Sequence, residues 1–456
     1  MSLLNSSTKR EYLIGTRGSL LALTQTQMIK KELEKLGQDQ FKIVPIMTEG
    51  DTQTNAPLWQ LPGQNFFTKE LDQALLEKKV DFVIHSYKDL GLLRPTGITL
   101  AAVTKRHFAN DILLLKNETM ELLRHRQLPE LSVATSSPRR SVNLSQHLKD
   151  LLPFGEHLQI QLCPLRGNVN TRLRKLQEGE CQSIVLALAG LERLAQDEQA
   201  SREIQGLCQN LSFMILPPSL FPPAAAQGAL AIECLAERDD NNELYTKLQK
   251  LNCPQTFLEI QRERQAFGEY GGGCHLSVGI HVHKVGDFFV HCHRGQVDKK
   301  NEKVEVRRIF MENAPRFLLP PAPFKIFVGL PPRPSPQKEG PQPNTAITIY
   351  DELIERRPLA ANPTPYIPAH FFVSSAHCLN LFKNIFHQGT VWAAGTQTMR
   401  KLAKEGFWVM GCGDSLGEKE IKHLYSSEAV RMLLGENYPL PWRVLGHEES
   451  ISLELG

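Results

Sequence analysis

Hydroxyl groups and two adjacent arginines are concentrated in one short stretch, ATSSPRRS, at residues 134–141. Ser137 is suited to cap a helix, because its side-chain oxygen can accept hydrogen bonds from N–H groups of the first turn. Pro138 then falls at the first helical position, where no N–H is needed. The start of such a helix, with the polar side chains around it, forms an anion site: Thr135, Ser136, Ser137, Arg139 and Arg140. The alternative is an ordinary capped helix with solvated arginines.

Arginines also follow other predicted strands: Arg17 in GTRGS, Arg166 and Arg172 in PLRGNVNTRLRKL, and Arg193 in AGLERL. Arg172 falls in the first turn of a helix predicted to begin near Asn168, where a cation is unfavourable unless an anion is bound. Guanidinium groups bind carboxylates or phosphates with two parallel hydrogen bonds. Because the sequence has no GxxxxGK[ST] phosphate loop, these separate arginines predict a ligand with several carboxylates. The alternative is a solvated basic helix start.

Two further stretches carry reactive groups. Lys88 and Asp89 follow the apolar strand DFVI in HSYKDLG, and a carboxylate beside a cation tends to stay ionised. Asp89 could hold a ring N–H, stabilise a developing positive charge or move a proton, whereas the alternative is a Lys–Asp surface pair. Cys274 follows three glycines in EYGGGCHLS, a flexible loop that lets a side chain approach another domain. The alternative there is an inert buried cysteine.

Four histidines in HVHKVGDFFVHCHR resemble a metal site. A hairpin with a two- or four-residue turn pairs residues whose numbers sum to an odd value. His281 and His283 then face one side of the sheet, and His291 and His293 face the other. We therefore expect no metal site.

The composition excludes several classes of protein. The chain has 456 residues, enough for about three domains, and its net charge of +3 does not favour nucleic acid as a partner. No apolar run is long enough for a signal peptide or a membrane span. Nine cysteines without a CxxC pair favour a reducing cytoplasm. We expect a cytoplasmic monomer that binds a small molecule and neither nucleic acid nor membrane.

The alternation of apolar runs and amphipathic segments predicts an α/β fold over residues 12–235. Helices are predicted at 20–36 and 69–78, and parallel sheets would carry ligands at the carboxyl ends of their strands. Residues 247–316 predict a helix at 256–267 and an antiparallel sheet. A dense set of prolines predicts a semi-rigid linker that contains one short apolar run, FKIFVGL, with an α/β pattern resuming after residue 345.

The motifs together resemble the porphobilinogen deaminase family. The match covers roughly residues 11–316 and includes GTRGSLLALTQT, TEGD, FFTKELDQALL, VIHSYKDL, ATSSPRRS, LRGNVNTRLRKL, LALAGLERL, AAAQGALAIE and EYGGGCHLSVG. The resemblance implies two lobes similar to those of periplasmic binding proteins, with the active cleft between them, and a small α+β third domain. The implied divisions are 1–104 with 226–246, 105–225 and 247–316. The proline-rich composition adds a linker at 317–344, and the α/β extension follows at 345–456.

The resemblance implies hydroxymethylbilane synthase activity. Four porphobilinogen molecules would condense head to tail, with loss of ammonia, on a dipyrromethane cofactor held by a thioether to Cys274, and hydrolysis would release hydroxymethylbilane. Asp89, Lys88 and Arg17 match catalytic positions, and Asp89 would stabilise the azafulvene cation. Positions implied to bind the cofactor are Lys88, Asp89, Thr135, Ser136, Ser137, Arg139, Arg140, Arg166 and Gly167. Positions implied to bind substrate are Arg17, Ser19, Arg166, Arg172, Arg193, Lys69 and Gln227.

The sequence departs from the family pattern at two positions. Gln64 stands where the family often has a lysine, and Gly91 stands where a proline usually follows the catalytic turn, so we expect Gly91 to loosen that turn. The tail, with FFVSSAHCLNLF and VWAAGTQTMRKLAKEGF, is similar to half of uroporphyrinogen-III synthase, and we expect it to be non-catalytic. Two alternatives stay open: a non-catalytic binder of polycarboxylates, and an enzyme that also acts as uroporphyrinogen-III synthase.

Overall fold

The computed structural model describes residues 10–52, 68–273, 275–299, 302–313, 368–386, 388–414, 416–435 and 438–446. Gln64, Cys274 and the apolar run at 324–330 lie outside these ranges. No helix within them combines the length and the apolar character that a membrane crossing requires.

The helices and strands follow the predicted alternation along the chain. Residues 10–215 form β1 (Glu11–Arg17), α1 (Leu20–Glu34), β2 (Gln40–Ile46), α2 (Glu49–Thr52), α3 (Lys69–Leu76), β3 (Phe82–Ser86), β4 (Ile98–Val103), β5 (Asp111–Lys116), α4 (Asn117–Arg124), β6 (Glu130–Ala134), α5 (Pro138–His147), β7 (Gln159–Cys163), α6 (Val169–Glu178), β8 (Ser183–Ala187), α7 (Leu188–Gln196), α8 (Glu198–Cys208) and β9 (Leu211–Ile215). The later residues form β10 (Leu230–Leu235), α9 (Glu243–Gln249), α10 (Pro254–Glu269), β11 (Ser277–Val285), β12 (Phe288–Lys299), β13 (Glu302–Glu312), β14 (Ala369–Val373), α11 (Leu379–Ile385), β15 (Gly389–Ala393), α12 (Thr396–Lys404), β16 (Val409–Cys412), α13 (Glu418–Tyr425), α14 (Glu428–Leu434) and β17 (Trp442–Leu445).

Two five-stranded sheets have the same topology. The first sheet has the order β2-β1-β3-β10-β4 and the second sheet has the order β7-β6-β8-β5-β9. The first three strands of each sheet are parallel, but β10 and β5 run antiparallel to both of their neighbours. The prediction of parallel sheets is therefore confirmed for three strands of each sheet and wrong for the pairings of β10 and β5. The chain crosses from the first sheet to the second at 104–110 and returns at 216–229, and strand β10, formed on its return, enters the first sheet in the opposite direction.

The third sheet is an antiparallel meander of β11, β12 and β13. His281 lies opposite Cys292 and Ile280 lies opposite His293, so the two histidine pairs face opposite sides of the sheet, as predicted. Helix α10 joins this sheet to the crossovers through the buried Glu263. Its carboxylate accepts two hydrogen bonds from Arg106, both at 2.8 Å, and others from the N–H groups of Ala226 and Val282. Arg106 outweighs the effect of burial and lowers the pKa of Glu263 to about 2.

The fourth sheet has the order β16-β15-β14-β17, and all of its strands are parallel. It packs against the second sheet, because Phe213 and Ile215 of β9 share one buried cluster with Phe372 and Trp392. Trp408 Nε1 also donates to the Phe213 carbonyl at 2.8 Å, on the edge strand of the second sheet. The tail and the second sheet are therefore joined by a common apolar core.

Candidate active site

A cleft of about 560 Å³ is lined by residues that follow the parallel strands of the first and second sheets. The carboxyl ends of β1, β3, β6, β7 and β8 meet here, where an open α/β sheet binds ligands. The cleft brings together most of the residues predicted from the sequence: Arg17, Ser19, Lys88, Asp89, Ser136, Ser137, Arg139, Arg140, Arg166, Gly167, Arg172, Arg193 and Gln227. Thr135 and Lys69 do not line it, and Cys274 lies outside the described residues.

The hydroxyl groups of ATSSPRRS organise the start of α5. Ser137 accepts a hydrogen bond from the Arg140 N–H at 3.4 Å, and Pro138 is the first helical residue, which confirms the predicted cap. Thr135, which is buried, accepts from the Ser137 N–H at 3.2 Å. Ser136 both donates to and accepts from the backbone of Leu165, at 2.9 and 3.0 Å. These contacts join the two arginine-rich stretches to each other.

Arg139 and Arg140 are buried and share one carboxylate, that of Asp111. Each guanidinium donates to a different oxygen of Asp111 at 2.8 Å. Burial opposes ionisation of Asp111, but the attraction of the two guanidinium groups prevails and holds the pKa of this carboxyl well below its usual range. The predicted alternative of solvated arginines is therefore wrong. Sequence reasoning missed Asp111, whose signal was a lone acid before the apolar run ILLL.

The second arginine group surrounds the start of α6. This helix begins next to Asn168, as predicted, and Asn168 caps it by accepting from the Thr171 N–H at 3.2 Å. Arg172 Nε donates to the Gly167 carbonyl at 2.7 Å, and its pKa falls to about 10 because of desolvation and repulsion from Arg140 and Arg166. This environment disfavours the charged form of Arg172, so a bound carboxylate would relieve the repulsion.

Arg193 reaches the cleft from α7. Its Nη2 donates to the Gly228 carbonyl at 2.6 Å, while burial lowers the pKa of its guanidinium to about 10. Its Nε and the Nε of Arg140 are buried without a hydrogen-bond partner among the described residues. Such donors are costly to leave unpaired, so both fit a site that binds an anion.

Lys88 and Asp89 lie on a short 3₁₀ helix, Tyr87–Asp89, which follows β3 directly. Both side chains are exposed to the water of the cleft, yet the protein around Lys88 desolvates its ammonium. Desolvation outweighs the attraction of Asp89 and lowers the pKa of Lys88 to about 8. Lys88 Nζ lies 3.5 Å from Gln227 Oε1, and Gln227 Nε2 donates to Asp111 Oδ1 at 3.0 Å. Gln227 therefore connects the catalytic candidates of the first sheet to the paired arginines of the second.

Three other residues have clear positions relative to the cleft. Ser19 caps α1 by accepting from the Ala22 N–H at 3.3 Å, and Lys69 begins α3 with an exposed side chain. Gln25, which sequence reasoning missed, lines the cleft, and its Oε1 accepts from Ser86 Oγ at 3.1 Å. Its buried Nε2 has no partner among the described residues, so Gln25 adds a further neutral donor to the cleft. Gln25 lies within the GTRGSLLALTQT motif, but its residue type and spacing did not distinguish it from its neighbours.

The glycines before Cys274 lie close to the turn that carries Lys88 and Asp89. Gly272 has φ +59°, and a Cβ placed on it would lie 2.9 Å from Leu92 Cδ1. The loop that leads to Cys274 is therefore packed against the segment that follows Asp89. The unpaired donors of Gln25, Arg140 and Arg193 fit a group that bears carboxylates. The packing of the glycine loop fits attachment of such a group beside the cleft.

A cluster of Asp72, His85 and Glu233 has ligand atoms within 4.8 Å of one another. Arg94 donates to both carboxylates, with its Nε 2.8 Å from Glu233 Oε1 and its Nη1 3.1 Å from Asp72 Oδ2. This guanidinium supplies the positive charge that a metal ion would otherwise provide, so the cluster is a buried ionic network of the first sheet.

Comparison with known proteins is consistent with this geometry. The family model described as "Porphobilinogen deaminase, dipyromethane cofactor binding domain" matches residues 12–243. The porphobilinogen deaminase of Gloeobacter violaceus is 38% identical over 275 residues, which is 60% of this chain and 76% of that protein. The porphobilinogen deaminase of Streptococcus sanguinis is 35% identical over 60% of this chain and 82% of its own length.

Solved structures give a weaker comparison. The reduced regulatory domain of OxyR2 from Vibrio vulnificus covers 55% of this chain and 99% of its own, with 12% identity and a TM-score of 0.28. This likeness is too low to support an assignment. The family model, in contrast, matches just over half of the chain and includes the arginine-lined cleft. The chain therefore belongs to the porphobilinogen deaminase family.

Proposed function

We infer that this chain is a hydroxymethylbilane synthase of tetrapyrrole biosynthesis. It condenses four porphobilinogen molecules, with loss of ammonia, and releases hydroxymethylbilane by hydrolysis. The single observation that carries this inference is the arginine-lined cleft at the strand ends of two sheets, within the matched part of the chain. The free thiols of the described cysteines support the proposal that it works in the cytoplasm.

We propose that the first and second sheets are the cores of two lobes, with residues 1–104 and 226–246 in one and 105–225 in the other. Residues 247–316 would form a third domain that holds dipyrromethane on Cys274. Two features support this division: the matching strand orders and the two crossovers at 104–110 and 216–229. When bound, the cofactor supplies the pyrrole carbon to which the first substrate is joined.

Arg166, Arg172 and Arg193 would bind the acetate and propionate groups of the pyrroles. Burial already disfavours their charged forms, so each gains more from a bound carboxylate than an exposed arginine would. Arg17 and Ser19 would bind substrate from the first sheet. Asp111 neutralises only part of the positive charge of Arg139 and Arg140, because the two guanidinium groups share this single carboxylate. The remaining charge would attract the carboxylates of the cofactor.

Asp89 would stabilise the positive charge that develops on the substrate as ammonia leaves, and would accept a proton after the rings join. Its place in the cleft, on a turn that packs near the Cys274 loop, supports this role. Lys88 and Gln227 would orient a carboxylate beside it. Lys69, which does not line the cleft, stays a prediction.

We propose that the tail, residues 345–456, has no synthase activity of its own. An open parallel sheet binds ligands at the carboxyl ends of its strands. In the fourth sheet those ends belong to the same buried cluster as Leu216, Leu220 and Phe221: Val373, Ala393, Cys412 and Leu445. Asp414, just after β16, also accepts from the Ser219 N–H at 2.8 Å. This packing supports the proposal, because the edge that would bind a substrate shares a buried cluster with the second crossover.

Intact-protein mass spectrometry and turnover of porphobilinogen test this function. The protein mass should exceed the sequence value by two pyrrole rings, and the excess should vanish in Cys274→Ala but persist in Cys378→Ala. Asp89→Asn should keep the excess mass while its turnover falls by about a hundredfold or more. A polycarboxylate binder would show no excess mass and no turnover.

Typing of the product isomers tests the tail. Hydroxymethylbilane left to close without a second enzyme should give only uroporphyrinogen I. Formation of isomer III by the purified chain would overturn the proposal that the tail is inactive.

A further inference from the structure

Arg264 of α10 holds the backbone of the turn that carries Asp89. Its Nη1 donates to the Leu90 carbonyl at 2.9 Å and its Nη2 donates to the Gly91 carbonyl at 2.6 Å. The guanidinium also lies over the ring of Tyr87, 4.7 Å from its centroid. One side chain therefore contacts the turn both before and after Lys88 and Asp89.

The same helix leads to the loop of the cofactor cysteine. Helix α10 ends at Glu269, and Gly271, Gly272 and Gly273 follow, all with positive φ. Leu92 packs against this end of α10, since a Cβ on Gly268 would lie 3.5 Å from Leu92 Cδ1. The catalytic turn and the glycine loop therefore share α10 as their support.

Few other bonds hold the end of the turn. Leu90 donates to the Tyr87 carbonyl at 3.1 Å, and Tyr87 donates to the Ala229 carbonyl at 3.1 Å. Gly91 adds no stiffness of its own, because a glycine has the widest choice of backbone conformations. Two hydrogen bonds from one planar guanidinium fix two successive peptide planes and so restrict that choice.

We propose that Arg264 is a positioning residue, which holds the turn of Lys88 and Asp89 in register with the loop of Cys274 and offsets the looseness of Gly91. The proposal rests on the role of Asp89 given above. Arg264 does not line the cleft and so acts through the turn. A displaced Asp89 would slow the chemical step more than it weakens substrate binding, because binding depends on the arginines.

Steady-state kinetics of the cofactor-loaded enzyme test the proposal. Arg264→Met keeps the apolar stem but removes both donors, and should lower kcat about tenfold per loaded molecule while KM changes less than about twofold. Arg264→Lys, which cannot bind two carbonyls with one planar group, should show an intermediate loss. The control is Arg262→Met, since Arg262 pairs with Glu312 and stacks on Phe289 away from the turn. Its kcat should be unchanged.

Stiffening the turn should restore activity. Leu90 has φ −85° and ψ 124°, which suits a residue before proline, and Gly91 is not among the residues with positive φ. Gly91→Pro in the Arg264→Met background should therefore recover kcat about threefold or more, because proline restricts the backbone that Arg264 no longer holds. A purely structural role of Arg264 would not be rescued in this way.

The outcomes separate the two proposals. A wild-type chain without bound cofactor and without turnover would overturn the proposed function itself. An active wild type with an unchanged kcat in both Arg264 variants would overturn the positioning role alone. Equal losses in Arg264→Met and Arg262→Met, or no rescue by Gly91→Pro, would also overturn it.

Discussion

The arginines of the cleft differ in how much of their charge the protein already neutralises. Arg139 and Arg140 pair with Asp111, whereas Arg172 and Arg193 donate to backbone carbonyl groups. A carbonyl satisfies a donor without cancelling its charge, so Arg172 and Arg193 retain more attraction for a carboxylate. Binding of successive acidic rings is therefore expected to depend more on Arg172 and Arg193.

Lys88 gives the cleft a pH-dependent charge. Its ammonium, with a pKa of about 8, is charged below that pH and loses its attraction for carboxylates as pH rises through it. The KM for porphobilinogen should therefore rise between about pH 7 and about pH 9. Lys88→Arg keeps its charge over this range, so its KM should stay flatter. Steady-state kinetics of both proteins across this pH range test the prediction. The same rise of KM in both proteins would contradict the role of Lys88 in substrate binding.

The second crossover, residues 216–229, is contacted by three separate elements. The Pro222 carbonyl accepts from Arg139 at 2.9 Å, and the Pro223 carbonyl accepts from the Ile280 N–H of β11 at 2.9 Å. The Ser219 N–H donates to the carboxylate of Asp414, which follows β16 of the fourth sheet. The path of this segment therefore depends on α5, the third sheet and the tail together, and any shift of it reaches Arg139 in the cleft.

Gly279 of β11 allows this close approach. A Cβ at that position would lie 2.0 Å from the Pro222 carbonyl oxygen, so Gly279→Ala must displace the crossover. We expect it to lower the free energy of unfolding by about 2 kcal/mol. Gly206→Ala in α8, where a Cβ meets nothing within 4 Å, should be neutral or slightly stabilising. Denaturant unfolding of both variants measures the difference, and equal stability would contradict the contact.

The whole molecule has more shared core than a chain of separate domains would have. The second and fourth sheets contribute to two common buried clusters, and Glu192 of α7 accepts from the Ala429 N–H of α14 at 3.0 Å. Helix α7 also carries Arg193, which lines the cleft. The tail therefore packs against a helix that contributes a side chain to the cleft. The tail is therefore an integral part of the fold around the second sheet.

Removal of residues 345–456 should expose this apolar face. We expect the shortened chain to bind a hydrophobic dye and to unfold at a lower temperature than the full chain, because residues of the tail belong to two buried clusters of the second sheet. As a control, cleavage at a protease site introduced into 317–344 should leave both fragments associated in gel filtration. Separation of the cut fragments, or an unchanged melting temperature after truncation, would contradict this arrangement.

Local signals determined part of the structure from the sequence alone. The cap at Ser137, the start of α6 at Asn168 and the opposite faces of the histidine pairs were predictable, because each depends on residues close in sequence or on strand period. Several cleft residues were predictable in the same way, since Arg17, Lys88 and Arg166 each lie at or just after the end of a strand that sequence patterns identify. Gln25, inside α1, gave no such signal.

Only the tertiary structure decided how these groups are paired. Asp111 lies 28 residues before Arg139, Gln227 meets Asp111 across the crossovers, and Arg264 meets the carbonyl of Gly91 from 173 residues away. The docking of the tail onto β9 likewise depends on matching surfaces of two sheets. A hydrogen bond or a packed surface depends on distance in space, and the sequence order of a long chain leaves that distance open until the sheets have assembled.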